Sequence, residues 1–303
     1  MTTAPVAADT VTPLKVVIGI ATTGRPDILR QTLLQIAGLQ DQPDAVLLGI
    51  ADESDFEAAA LGDVPYRLAV IKAAKGLCNQ RNALLAKVDA DTILLFLDDD
   101  FLVCDGFVTK TRDLFSAHTN VVMATGKVLA DGILGPGLTH ADGLARLIPQ
   151  SVPDDTLEDS YNGSGCNMAV RVSTVHAHNL QFDTDLPRYG WLEDVDFSRR
   201  LAKHGRIVKC GAMQGVHLGT KTGRSRGVPL GYSQIANPLY MIRKGSLSYR
   251  RGGYLMLRNV TANIVKIARP EPWVDRPGRF KGNLLALKDL ITGRIAPGRI
   301  LDL

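Results

Sequence analysis

The sequence predicts an α/β protein built on an open, mostly parallel, doubly wound sheet. Three observations predict it. Short runs of apolar, often β-branched residues recur through the first half of the chain, helical stretches separate them, and the runs end in polar or acidic clusters. Strand–helix–strand alternation implies parallel strands with crossover helices. In such sheets ligands bind outside the carboxyl ends of the strands. With 303 residues, 45% hydrophobic and 22% charged, the chain buries a sizeable core without disulfides, and its composition argues against a mainly disordered polypeptide.

Each element follows in order. Residues 15–21 (KVVIGIA) form a short, fully buried strand. The turn at 22–27 (TTGRPD) leads into a helix, with Pro26 suited to its first position and Ile28, Leu29, Leu33, Leu34 and Ala37 spaced at a helical period. Strands are expected at 45–50 (AVLLGI), ending in the acidic turn 51–55, and at 66–71. A short helix at 79–88 precedes a strand at 92–97 (TILLFL) that runs into Asp98, Asp99 and Asp100. A helix at 105–118, a strand at 121–129, a Gly/Pro-punctuated loop at 131–165 and a strand at 166–172 come next. Residues 193–204 form an amphipathic helix through Val195, Phe197 and Leu201, and 206–218 a last strand. Amphipathic helical patches at 233–242, 254–267 and 284–291 complete the chain. The expected organisation is a disordered start at 1–14, an α/β domain at 15–235, and a basic, mainly helical extension at 236–303.

Charge divides the same way. Thirteen Lys and Arg and four acids follow Ile235, a surplus of nine, so the first 235 residues carry −5 within the chain's +4. A basic segment of this kind suits anionic lipid, phosphorylated substrates or nucleic acid, or else folds as a salt-bridged flap on the acidic body. No nucleic-acid-binding signature accompanies it. Cys78, Cys104, Cys166 and Cys210 are scattered without a CxxC pair, which fits a reducing compartment and neither a zinc site nor a disulfide framework. The start lacks a basic and apolar leader, and no apolar run approaches the roughly 18 residues of a membrane span. The cytoplasm is the expected location, with peripheral attachment to a membrane face through the basic segment left open.

The acidic clusters carry the chemistry. Three adjacent carboxylates at 98–100 repel one another, so a divalent cation such as Mg²⁺ or Mn²⁺ is one stabilising partner, and a solvated turn or helix cap is the plain alternative. Glu193 and Asp194, after Gly190-Trp191-Leu192, offer a general base at a helix start with Trp191 as a stacking platform. Acids there also simply complement the helix dipole. His217 ends the last strand, with Lys221, Arg224 and Arg226 following among glycines, a set suited to a diphosphate or to an exposed loop. Lys75-Gly76 and Arg81-Asn82 carry the same ambiguity.

The ordered set Thr22-Thr23-Gly24-Arg25-Pro26, Asp52, Lys75-Gly76-Leu77, Arg81-Asn82, Leu97-Asp98-Asp99-Asp100, Gly165-Cys166-Asn167 and Glu193-Asp194 resembles a family-2 inverting glycosyltransferase of the GT-A fold, over roughly residues 15–226. The resemblance implies that Thr22, Thr23 and Arg25 line a nucleotide pocket and that Asp52 accepts a hydrogen bond from the base. It implies that Lys75, Gly76, Arg81 and Asn82 contact nucleotide and diphosphate. Asp98 would approach the ribose and Asp100 the metal, a one-residue shift to Asp99 staying open, with His217 as a third metal ligand. Asp194 matches the catalytic base. Arg224 and Arg226 would assist the leaving diphosphate, and Gly165, Asn167, Trp191 and Glu193 would shape the acceptor side.

The implied activity is a metal-dependent single displacement, with inversion, from a nucleoside-diphosphate sugar to a hydroxyl of a glycan or lipid-linked glycan. Polysaccharide biosynthesis is the implied setting. UDP is the favoured donor nucleotide, with GDP and dTDP open, and Mn²⁺ or Mg²⁺ the implied cofactor. Oligomerisation is also open. A non-catalytic nucleotide- or glycan-binding module is the alternative from another class. A sugar-1-phosphate nucleotidyltransferase fits less well, because TTGRPD lacks that group's Gly-rich loop and leaves Glu193-Asp194 unused. A dinucleotide oxidoreductase lacks its GxGxxG.

Overall fold

The computed structural model describes residues 14–148, 154–221 and 227–303. The disorder expected at the start of the chain concerns residues 1–13, outside those described, and Leu14.

Apolar runs become strands because both faces of the sheet are covered. In β1 (Lys15–Thr22), Val16, Ile18 and Ile20 point into one core and Val17 into the other. Helix α1 (Pro26–Ala37) carries Pro26 in its first turn and buries Leu29, Thr32, Leu33 and Ile36 against the first core. β2 (Ala45–Ile50), β3 (Arg67–Lys72) and β4 (Thr92–Asp98) run parallel to β1 in the order β3-β2-β1-β4, with α2 (Leu77–Leu85) between β3 and β4 in sequence. Phe101–Val103 is a further strand, β5, followed by α3 (Phe107–Ala117) and β6 (Val121–Asp131).

The expected loop at 131–165 is not structureless. Its described part holds a short turn at Gly132–Leu134, helix α4 (His140–Arg146) and strand β7 (Leu157–Asp159). Thr139 opens α4 with a reciprocal capping box to Asp142, a local signal the Gly/Pro punctuation masked. β8 (Asn167–Arg171), α5 (Val172–Ala177), α6 (Glu193–Leu201) and β9 (Arg206–His217) follow. β8 lies antiparallel between β4 and β6, β9 runs parallel to β6, and β5 and β7 pair antiparallel with β9. The sheet is therefore mixed, with the parallel half as expected.

The C-terminal region is α7 (Gly227–Lys244), α8 (Tyr249–Val265) and α9 (Arg276–Ile291), closed by a turn at Pro297–Asp302. Tyr232, Ile235, Ala236, Ala286, Ile295 and Ile300 form its own small core. α7 runs across residues 235 and 236, so the expected domain boundary falls inside one helix.

Candidate active site

The carboxyl ends of β4, β6 and β9 meet at one edge of the sheet and deliver Asp98, Asp131 and His217, the last residue of each strand. The acidic triplet divides in two. Asp98 and Asp100 face His217, whose Nε2 lies 3.9 Å from Asp98 Oδ2 and 3.4 Å from Asp100 Oδ1. One ligand atom from each of the three lies within 4.8 Å of the other two. Asp99 turns the other way. It accepts from Thr22 Oγ1 at 2.7 Å and from Arg25 Nε at 3.0 Å, while Arg25 Nη2 stands 2.5 Å from its second oxygen. Asp99, the open alternative as metal ligand, has its carboxylate fully buried against Thr22 and Arg25, and the group that could hold an ion is Asp98, Asp100 and His217. Those two residues, expected in the nucleotide pocket, hold the triplet in place.

The electrostatics follow from this division. Burial, against the pull of Arg25, pushes the Asp99 carboxyl up to about 7. Burial also opposes ionisation of Asp100, but His217, Arg25 and the Thr220 N–H, 2.8 Å from Oδ2, outweigh it and hold its carboxyl well below the usual range. Burial disfavours a charged His217, yet its bonds to Asp100 and Asp131 win and raise it to about 10. The Nδ1 of His217 lies 2.9 Å from Asp131 Oδ1, which fixes the ring and aims Nε2 at the two carboxylates. Two carboxylates and an oriented imidazole around one point are a donor set suited to a divalent cation such as Mn²⁺ or Mg²⁺.

Arg81 links this cluster to the second acidic pair. It is fully buried between the Phe96 and Phe182 rings and reaches Asp98 Oδ1 at 3.3 Å, Gly165 O at 2.7 Å and Glu193 Oε1 at 2.5 Å. Arg81 and Glu193, expected to touch nucleotide and acceptor, are thus internal struts. Asp194 remains half-exposed at the start of α6. Its Oδ2 accepts from the Gly165 N–H at 3.1 Å and its Oδ1 from the Val195 N–H at 2.8 Å. Burial raises its carboxyl, opposed by Arg81 and those two amides. The preceding turn is tightly wound: Gly190 has φ 62° and Leu192, a non-glycine, φ 76°. Such left-handed backbone at a bulky residue is strained and aims the helix start.

The other expected residues separate into surface and support. Asp52 and Lys75 are exposed beside the ends of β2 and β3. Asp52 caps its own turn by accepting from the Ser54 N–H at 3.0 Å. Gly76, at φ 129°, begins α2 two residues earlier than expected. Thr23 donates to the Thr22 carbonyl at 2.8 Å, and Trp191 is half-buried with its carbonyl accepting from Asn237 at 2.8 Å. Asn82, expected at the diphosphate, clamps the Phe182 backbone with bonds of 2.9 and 2.7 Å. Asn167, expected on the acceptor side, is wholly buried, its Oδ1 accepting from Thr125 Oγ1 at 2.7 Å and the Gly126 N–H at 2.8 Å. Arg224 and Arg226 lie outside the described residues. Lys221 donates to the carbonyls of Gly132 and Ile133 at 3.1 and 2.8 Å.

Sequence reasoning missed two acids. Asp131 was read as the start of a loop, although it ends a strand at the same sheet edge as Asp98. Asp55 is buried and ties the loops after β1 and β2 together, accepting from the N–H groups of Gly24, Ala51 and Asp52 at 2.6, 2.9 and 2.8 Å.

No protein-family model matches the chain, and no curated protein matches it significantly. Solved structures do. TarS 1-349 of S. aureus superposes at a TM-score of 0.57 and 14% identity, over 94% of this chain and 82% of TarS 1-349. Its complex with UDP-GlcNAc gives 0.57 at 12% identity over the same shares. GalNAc-T7 with UDP, GalNAc and Mn²⁺ gives 0.56 at 12% identity, covering 92% of this chain and 57% of that one. At such identities the likeness is one of architecture, and the architecture is the GT-A fold of glycosyltransferases.

Proposed function

We propose that this protein is a nucleotide-sugar-dependent, inverting glycosyltransferase with Asp194 as its general base. The observation that carries the reading is the placement, across one buried Arg81, of a cation-suited Asp98–Asp100–His217 cluster and a half-exposed carboxylate at a helix start. The fold shared with proteins solved with UDP-GlcNAc, or with UDP and Mn²⁺, favours a UDP-sugar donor.

In this reading Asp52 and Lys75, beside the ends of β2 and β3, serve the donor side. Asp98, Asp100 and His217 would hold a divalent cation, which would supply Lewis-acid stabilisation of the departing diphosphate. Asp194 takes the proton of an acceptor hydroxyl as that oxygen attacks, and the Gly165 amide fixes the carboxylate during the transfer. One base on one side of the sugar gives a single displacement and inversion at the anomeric carbon. Trp191, in the turn that presents the base, serves the acceptor side.

The test joins binding with turnover. Thermal stability is measured with UDP, GDP and dTDP, each with and without Mn²⁺, and nucleotide release from the matching sugar donors is followed. One nucleotide is expected to stabilise the protein in a metal-dependent way. Asp194→Asn is expected to keep that shift while turnover falls by about 10²–10⁴-fold. Turnover at the parental rate in Asp194→Asn removes the assigned base, and no shift with any nucleotide removes the donor site.

A further inference from the structure

The basic C-terminal region divides into residues that are paired and residues that are not. Lys244, Lys266, Arg276, Arg294 and Arg299 each meet a carboxylate. Arg250 and Arg258 on α8, and Lys281 and Lys288 on α9, are exposed and make no ion pair among the described residues. Of the paired group only Lys244 reaches the acidic body, at Asp183 and Asp196, while the other four meet acids of the extension itself.

The unpaired cations lie among exposed apolar side chains. The outward face of α8 presents Tyr254, Leu257, Ile264 and Val265, which are 64%, 68%, 51% and 70% exposed. At about 100° per residue these four fall on one side of the helix, with Arg250 between them and Arg258 at their edge. The opposite side holds the buried Gly252 and Asn263. α8 contains no acidic residue. α9 repeats the pattern: Leu284, Leu287 and Ile291 are 51%, 41% and 86% exposed beside Lys281 and Lys288. Its one acid, Asp289, is buried and accepts from Tyr232 at 2.9 Å. The two helices are joined at Asn263 and Asn283, 2.8 Å apart.

We propose that the outward faces of α8 and α9 dock on an anionic phospholipid surface. Cations interleaved with leucine, isoleucine, valine and tyrosine are complementary to a headgroup layer above acyl chains, where apolar residues sink and basic ones meet lipid phosphate. A nucleic acid would match the charge and leave the aliphatic side chains in water. No helix among the described residues is long and apolar enough to cross a membrane, so the contact is interfacial. The docking helix also reaches the segment that leads to Gly165. Arg251 on α8 stacks over the Tyr161 ring at 3.7 Å, four residues before Gly165, whose amide holds Asp194. An acceptor presented at the bilayer then lies on the side of the base, a step that rests on the transferase reading while docking itself does not.

The test is flotation of the full chain with phosphatidylcholine vesicles, with and without phosphatidylglycerol, in the absence of any sugar donor. Binding is expected only with phosphatidylglycerol and weakens as salt rises. Arg250→Glu with Arg258→Glu is expected to lower the partition coefficient by at least tenfold, at about fivefold per basic residue lost. Leu257→Asp with Val265→Asp is expected to lower it by about tenfold or more at unchanged melting temperature. No flotation with phosphatidylglycerol vesicles overturns the proposal, as does flotation that both double variants leave intact. A dimer by light scattering that Leu257→Asp dissolves, without vesicle binding, assigns the face to a second copy instead. Because no donor is present, failure here leaves the transferase reading standing, and failure of the nucleotide test leaves docking standing.

Discussion

Three consecutive aspartates persist at the end of β4 because each has a different counterpart. Asp98 has Arg81, Asp99 has Arg25 and Thr22, and Asp100 has His217 and the Thr220 amide. Composition and position made the triplet legible as a cation site, but which two carboxylates converge depends on the fold, since their partners come from residues up to 120 positions away. The same convergence tunes Asp194, the proposed base. Burial raises the Asp194 carboxyl above its ordinary 3.8, and Arg81 with the Val195 and Gly165 amides only partly offsets this. A base acts when ionised, so activity is lost as pH falls through the raised value, and the acid limb of a kcat/KM profile is expected above the ordinary carboxylate range. Glu193 gives the matching stability effect. Burial and the charge of Asp194, against Arg81, push it up to about 8 from 4.5. The folded chain then holds a proton that the unfolded chain releases, so this group's contribution falls as pH rises from 4.5 to about 8. Glu193→Gln is expected to flatten that slope in urea denaturation across the same window.

At the scale of elements, the C-terminal helices pack backbone to backbone. A Cβ on Gly231 of α7 would sit 2.0 Å from the Arg279 carbonyl, and one on Gly282 of α9 would sit 2.1 Å from the Val228 carbonyl. Neither obstacle is a flexible side-chain tip, so the helices must part. Gly282→Ala is expected to cost about 1–3 kcal/mol and lower the melting temperature by a few degrees. Gly253→Ala on α8 supplies the opposite sign: nothing lies within 4 Å, and alanine in a helix interior is favoured by about 0.5–1 kcal/mol. The sequence pattern placed these helices but clipped their starts, because it weighed apolar period above caps. Ser248, accepting from the Arg251 N–H at 3.3 Å, and Asp275, accepting from the Gly278 N–H at 2.8 Å, are the starts it passed over. β5 and α5 escaped for a different reason. Three and six residues are too few to show a period.

For the molecule as a whole, the charge asymmetry was legible and the joint between the two parts was not. The expected helix at 233–242 already spans Pro238, but α7 starts at Gly227 and includes Gly231, which admits α9 closely. α7 also braces the turn before Asp194. Asn237 donates to the Trp191 carbonyl at 2.8 Å, Tyr240 to Asp183 at 2.8 Å, and Lys244 to Asp196 at 2.9 Å, with Asp183 also paired to Lys244. Residues 183–196 form the turn and first helical residues around Asp194, so the basic extension holds the segment that presents the proposed base. A chain ended after Ile235 cuts α7 mid-helix, strips the small core of Ala286, Ile295 and Ile300, and frees that turn. It is expected to melt well below the full chain. Its parallel half-sheet, β1 to β4, keeps the first core whole and loses only Tyr240 from the edge of the second, so any nucleotide-dependent shift is expected to survive better than turnover does. Equal melting temperatures and equal turnover in the two chains would mean that α7 to α9 are an appendage, and that the boundary drawn from charge alone was the physical one.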